Sequence, residues 1–98
     1  MIYDSAADLI GKTPLMHAKR FCAESGSDAD IVVKLESRNP GGSAKDRIAL
    51  NMIEEAEKRG QIKPGDTLIE ATSGNTGVGL GVVAAARGYR VVLTMPET

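Results

Sequence analysis

One cysteine, Cys22, and one histidine, His17, are all that the 98 residues contain of either type. A lone cysteine excludes an internal disulfide, and so little His and Cys leaves no zinc-type ligand cluster. Tryptophan is absent, and the aromatics come to one Phe and two Tyr. Neither sign of charge dominates: 12 basic and 13 acidic side chains give a formal net charge of -1. A near-neutral chain without a Lys/Arg run has no electrostatic footprint for nucleic acid. The longest uncharged apolar stretch, Val78 to Ala86, is far shorter than the roughly 20 residues that span a bilayer. The N-terminal MIYDSAADL carries acids and no apolar h-region, so it is not a secretory signal. A cytoplasmic protein without membrane or nucleic-acid partners is therefore expected. At 42% hydrophobic and 26% charged the composition is that of a globular protein, and the length allows one small domain with a marginal core.

What is plentiful is glycine, at 11 residues, and much of it falls in two short loops. Around them the chain reads as an α/β pattern. Thr13 to Ala18 and Ile31 to Leu35 are expected strands, the second by its β-branched content. The intervening AESGSDAD reads as a surface loop. Ser43 is placed to cap a helix, with Asp46 imitating a capping box. Apolar residues at Ala44, Ile48, Ala49, Met52, Ile53 and Ala56 mark one helical face. Lys58 and Arg59 suit its last turn, and Gly60 its C′ position. Thr67 to Ala71 is a third strand, Asn75 to Arg87 a second helix stopped by Gly88, and Arg90 to Met95 a fourth strand. Helix, strand, helix, strand with short connections implies parallel βα units. Ending after a fourth strand, the chain reads as an incomplete α/β domain.

The first glycine loop, Asn39 to Arg47 (NPGGSAKDR), sets Lys45 in the first turn of a helix. A cation there faces the positive end of the helix dipole, at a typical cost of about 0.3–1 kcal/mol. Only a neutral amine attacks an aldehyde, so such a lysine is a Schiff-base candidate. On this motif alone, a solvated surface lysine beside Asp46 and Arg47 is the leading reading. The second loop, Thr72 to Gly77 (TSGNTG), joins a strand to a helix. A helix N-terminus at the carboxyl end of a parallel strand offers unpaired N–H groups to an anion. Thr72, Ser73 and Thr76 add hydroxyls, Asn75 an amide, and Gly74 and Gly77 permit close backbone approach. A well-capped helix start is the plainer alternative, but six small polar or glycine residues in a row exceed what capping needs.

Some features are weaker. Gly79, Gly81 and Ala84 fit G-x-G-x-x-A, yet they lie inside the helix pattern rather than in a strand-to-helix turn. Close packing of that helix on a neighbour is the expected reason for the glycines at 77, 79 and 81. No P-loop motif occurs. His17 reads as structural or exposed, and Cys22 has no cationic helper nearby.

Four strings then act together: IGKTPL (Ile10 to Leu15), KLESRNPGGSAKDR (Lys34 to Arg47), EATSGNTG (Glu70 to Gly77) and TMPE (Thr94 to Glu97). In this order and spacing they resemble the start of cysteine synthase, or O-acetylserine sulfhydrylase, a fold-type II (tryptophan synthase β-like) enzyme that uses pyridoxal 5'-phosphate (PLP). The resemblance runs from Ile10 to the end and raises Lys45 to the expected PLP lysine. It implies β-replacement on a small amino-acid substrate. Lys45 would carry PLP and then remove the Cα proton of O-acetyl-L-serine; acetate leaves, and sulfide adds to give L-cysteine. It also implies Asn75 as a partner of the cofactor's 3′ oxygen, and Thr72, Ser73, Gly74 and Thr76 as the grip on the substrate carboxylate. No metal is implied. Cystathionine β-synthase has a very similar loop and stays open, as do relatives using O-phosphoserine or thiosulfate, and a non-catalytic truncated product.

By the same resemblance, residues 1–37 would join a larger domain's sheet and residues 38–98 begin the small α/β domain. The phosphate cup and the residue contacting the pyridine nitrogen would lie downstream. Homodimerisation is expected of the complete enzyme.

Overall fold

The computed structural model describes residues 1–97. Its order is β1 (Leu15–His17), α1 (Lys19–Ser25), β2 (Val32–Lys34), α2 (Lys45–Lys58), β3 (Thr67–Ala71), α3 (Asn75–Arg87) and β4 (Arg90–Thr94), with short 3₁₀ helices at Ala6–Leu9 and Glu36–Arg38. The fold class is α/β, as expected. β3 and β4 are parallel, in register from Thr67 opposite Arg90 to Ala71 opposite Thr94. A parallel pair needs a crossover, and α3 supplies it.

Sequence explains the two long helices differently. α2 is built from strong helix formers, Ala, Leu, Met, Glu and Lys, and buries Asp46, Ala49 and Ile53 along one face. α3 is rich in Gly and Val, so packing rather than propensity must hold it. It buries Gly77, Gly79, Leu80, Val83 and Ala84. Both helices end through glycine in the left-handed region, Gly60 at φ +71° and Gly88 at φ +81°, where other residues are strained.

The core joins Ile10, Ala49, Ile53, Leu80, Val83, Ala84 and Tyr89, with Leu50, Ile62, Leu68 and Val91 against it. At its far end Arg87 donates to Glu57 at 2.6 Å and to Glu54 at 2.8 Å, and the Tyr89 hydroxyl donates to Glu57 at 2.7 Å. Burial and the Glu57 carboxylate push the Tyr89 phenol up to about 12.

Several expectations need correction. The segment read as loop, AESGSDAD, begins inside α1, whose C-cap Gly26 is left-handed. β1 and β2 are shorter than expected and pair antiparallel with each other. The sheet they form is separate from β3–β4, which departs from no expectation. α2 starts at Lys45 rather than Ser43 and has no side-chain cap at its start. The Ser43 hydroxyl instead accepts from the Lys45 amide at 3.1 Å.

Much surface stays open. The accessible area is 6848 Å², against roughly 5,400 Å² for a closed monomer of this mass. The radius of gyration is 17.2 Å, against about 13 Å for a compact domain of this length. Ile69 and Val92 lie opposite one another in register on the bare face of the β3–β4 sheet, 70% and 48% exposed. The β1–β2 pair likewise exposes Leu15, Met16 and Val32. A two-stranded unit is marginal in water without a packed face.

Candidate active site at the lysine and TSGNTG loops

Lys45 is exposed and opens α2, directly after the NPGG turn. A latch of four residues holds that turn. The Arg47 guanidinium donates twice to Glu36, at 2.8 and 2.9 Å, and to the Thr13 hydroxyl at 3.0 Å. Thr13 donates to Glu36 at 2.8 Å. Asn39, nearly buried, accepts from the Gly11 amide at 2.8 Å and donates to the Glu36 carboxylate at 3.0 Å. Gly11 sits at φ +84°, with the Arg47 guanidinium only 3.0 Å from where a Cβ would stand. The IGKTP string is thus tied to the lysine loop on both counts, backbone conformation and space.

Arg47 first, then Thr13, holds the Glu36 carboxyl down to about 2, against an ordinary 4.5. A lowered carboxyl stabilises the fold above its unfolded value and loses that contribution as pH falls through its folded value. Between pH 4.5 and about 2, stability should therefore drop more steeply in the parent than in Glu36→Gln. Urea midpoints taken across that range check this; parallel curves for the two proteins would refute it.

The second loop continues β3. The Thr72 amide donates to the Thr94 carbonyl at 2.9 Å, extending the parallel ladder by one bond. Ser73, Gly74 and Asn75 are exposed; Thr76 is half-buried. Gly74 occupies the N-cap of α3, and no side chain caps the helix. Ser73, Asn75 and Thr76 are therefore not used for capping; the Gly77 and Val78 amides donate to the Gly74 carbonyl, which leaves the Asn75 and Thr76 amides for a ligand. Beside them, at the carboxyl ends of β3 and β4, lies an open depression of about 370 Å³ lined by Ala71, Thr72, Ser73, Thr94, Met95 and Pro96. That is where open parallel sheets bind ligands, and it brings EATSGNTG and TMPE together. A second hollow, about 260 Å³ between α2 and the free edge of β3, is lined mainly by apolar residues such as Met52, Ile53 and Ile62 and offers little to orient a polar ligand.

The two loops share one end of the molecule. Gly79 of α3 packs on Lys45 and Ala49 of α2, whereas Arg87 near the other end of α3 reaches Glu54 and Glu57. The helices run side by side in the same direction. Gly79 is four residues beyond Asn75, about 6 Å along the axis, so both positive helix ends point the same way. An anion between them meets favourable dipoles from each.

The sequence matches the family of pyridoxal-phosphate dependent enzymes over residues 6–98. The chain belongs to that family. It is 57% identical over 95 residues to a cysteine synthase of Staphylococcus aureus, covering 97% of this chain and 30% of that protein. To cysteine synthase B of Salmonella typhimurium it is 61% identical over 88 residues, covering 90% and 28%. The chain therefore spans about 30% of the length of such relatives. Among solved structures, an O-ureido-L-serine synthase superposes with a TM-score of 0.89 at 49% identity, covering all of this chain and 30% of that one. A hydrogen sulfide-producing enzyme of Fusobacterium nucleatum gives 0.85 at 47% identity, covering 100% and 32%. The resemblance to cysteine synthase-type PLP enzymes, and the fold that goes with it, is thereby established.

Some residues of the site escaped sequence reasoning. Asp46 was expected to assist a helix cap; it is wholly buried. Glu36, Asn39 and Arg47 form the latch with Thr13, and no spacing rule announces it. Among the described residues no group of three or more His, Cys, Asp or Glu is placed to hold a metal, and no helix is long and apolar enough to cross a membrane.

Proposed function

We propose that this chain is the N-terminal part of a cysteine synthase, which makes L-cysteine from O-acetyl-L-serine and sulfide by PLP-dependent β-replacement. The observation carrying this reading is the pairing of an exposed lysine at the start of α2 with the uncapped, hydroxyl-rich start of α3 at the same end of the molecule. PLP, when bound, supplies the electron sink for loss of the Cα proton and the β-substituent. Lys45 attaches the cofactor and holds or moves the proton at Cα through Nζ. Thr72, Ser73, Gly74 and Thr76, with the free amides of α3, hold the substrate carboxylate. Asn75 would donate from its side-chain amide to the cofactor's 3′ oxygen. The absence of a side-chain cap supports this, since it leaves those polar groups free for a ligand.

On this reading residues 1–37 belong to the larger domain and residues 38–98 to the smaller; the separation of the β1–β2 pair from the β3–β4 sheet supports that division. The full-length protein is then a cytoplasmic homodimer acting on a small amino acid. The O-ureido-L-serine synthase and sulfide-producing neighbours favour one second reading, the same β-replacement with a different leaving group or nucleophile. Incubating the full-length protein with PLP, O-acetyl-L-serine and sulfide should release acetate and form cysteine one for one. Preferred formation of cystathionine from homocysteine would select the cystathionine β-synthase-like alternative. No product with any nucleophile would refute β-replacement.

A further inference from the structure

Asp46 is the only charged residue, among those described, that is fully buried. Its Oδ2 accepts from the Gly41 amide at 2.5 Å, while Oδ1 has no hydrogen-bond partner. A buried carboxylate oxygen without a donor is costly, and native folds keep few of them. Its surroundings show what it separates and joins. At Gly41 an added Cβ would collide with the carboxylate itself. At Gly79 of α3, an added Cβ would stand 3.1 Å from Oδ1, from the Lys45 carbonyl and from the Ala49 Cβ. Two residues earlier, and so on the opposite side of the helix, a Cβ at Gly77 would stand 2.8 Å from the Thr72 Cγ2 and 3.1 Å from the Leu93 Cδ1. α3 is thus wedged between Asp46 on one flank and Thr72 on the other.

We infer that Asp46 is a positioning residue that couples the lysine loop to the TSGNTG loop through Gly79 and Gly77. Its carboxylate anchors the NPGG turn by one oxygen and bears on α3 with the other. A shift of the turn is transmitted to Thr72 by a helix too tightly packed to absorb it. The functional meaning rests on the roles proposed for Lys45 and the TSGNTG loop; the mechanical coupling does not.

Amide hydrogen exchange on the full-length protein separates the two. Asp46→Ala should raise exchange by about tenfold or more at the Gly41 and Gly42 amides and also at the Thr72 amide, which is bonded to the Thr94 carbonyl, since local opening free energies report on each segment. Asp46→Asn keeps an oxygen for Gly41 and should restore protection in both. Gly79→Ala, which presses on Asp46 from the other helix, should raise exchange at Gly41 and Gly42, as coupling is reciprocal. Under the proposed function, kcat should follow the exchange in the order parent, Asp46→Asn, Asp46→Ala. Exchange raised at Gly41 and Gly42 but not at Thr72 in Asp46→Ala would overturn the inference, and so would a Gly79→Ala protein with unchanged exchange at Gly41. If Asp46→Ala fails to fold, the Gly79→Ala and Asp46→Asn results decide it. Parent protein that shows the coupling but forms no product would refute the proposed function and leave the coupling intact.

Discussion

Lys45→Ala is expected to lower kcat for cysteine formation by about three orders of magnitude or more, the range removed with a combined nucleophile and general base. The same substitution should leave stability nearly untouched. Lys45 is exposed, at the first residue of α2, and exposed substitutions of this kind usually stay within about 0.5 kcal/mol. Removing a cation from a helix N-terminus is, if anything, favourable by a few tenths of a kcal/mol. Lys45→Arg should not rescue, because a guanidinium stays protonated and cannot act as base. Rates of cysteine formation and urea midpoints on the full-length variants read both halves of the expectation. Activity above a tenth of the parent in Lys45→Ala would remove this lysine from the chemistry, and a large stability loss would give it a structural role instead.

The second large effect belongs to a glycine. In the interior of a helix, Gly→Ala ordinarily stabilises by about 1 kcal/mol, and Gly77 lies within the first turn of α3. Yet a methyl group there meets Thr72 at 2.8 Å and Leu93 at 3.1 Å. Thr72 is β-branched and stiff at χ1, so its side chain cannot swing clear without moving the loop. Propensity and packing oppose each other for stability, and the packing strain falls on the residue proposed to hold the substrate carboxylate. Gly77→Ala should therefore raise KM for O-acetyl-L-serine by about tenfold or more, the equivalent of roughly 1.4 kcal/mol of binding, while Tm changes little. Gly81→Ala is the control: open space surrounds that position, so the helix gains propensity and KM stays at its parent value. Equal KM values for the two variants would contradict the account.

The contrast between these glycines marks how far the sequence could be read. Close packing was expected at Gly77, Gly79 and Gly81 alike; it occurs at Gly77 and Gly79 and not at Gly81. Periodicity identifies a helix face, but not which of its residues another helix will touch. α2, β3, α3 and β4 were legible because their punctuation is local: Gly60 and Gly88 end the helices, and β-branched runs mark the strands. α1 was missed because its last residues, Ala23 to Ser25, sit in a polar stretch that composition alone assigns to loop. The antiparallel pairing of β1 with β2 depends on contacts between residues such as Leu15 and Lys34, and nothing local specifies them. Ser43 and Asp46 had capping-box spacing, yet Asp46 turns inward to the Gly41 amide instead. At the candidate site, the helix-dipole argument anticipated an exposed N-terminus at Asn75 from the strand–loop–helix order. The latch of Glu36, Asn39 and Arg47 became visible only once Thr13 and Gly11 stood beside them.

The most direct measurement is reductive trapping: the full-length protein is mixed with PLP, reduced with borohydride, digested, and its pyridoxyl adduct mapped by peptide mass spectrometry. The account predicts one dominant adduct, on Lys45, displaced when O-acetyl-L-serine is added before reduction. A dominant adduct on any other lysine, or adducts scattered over several with none favoured, would contradict it.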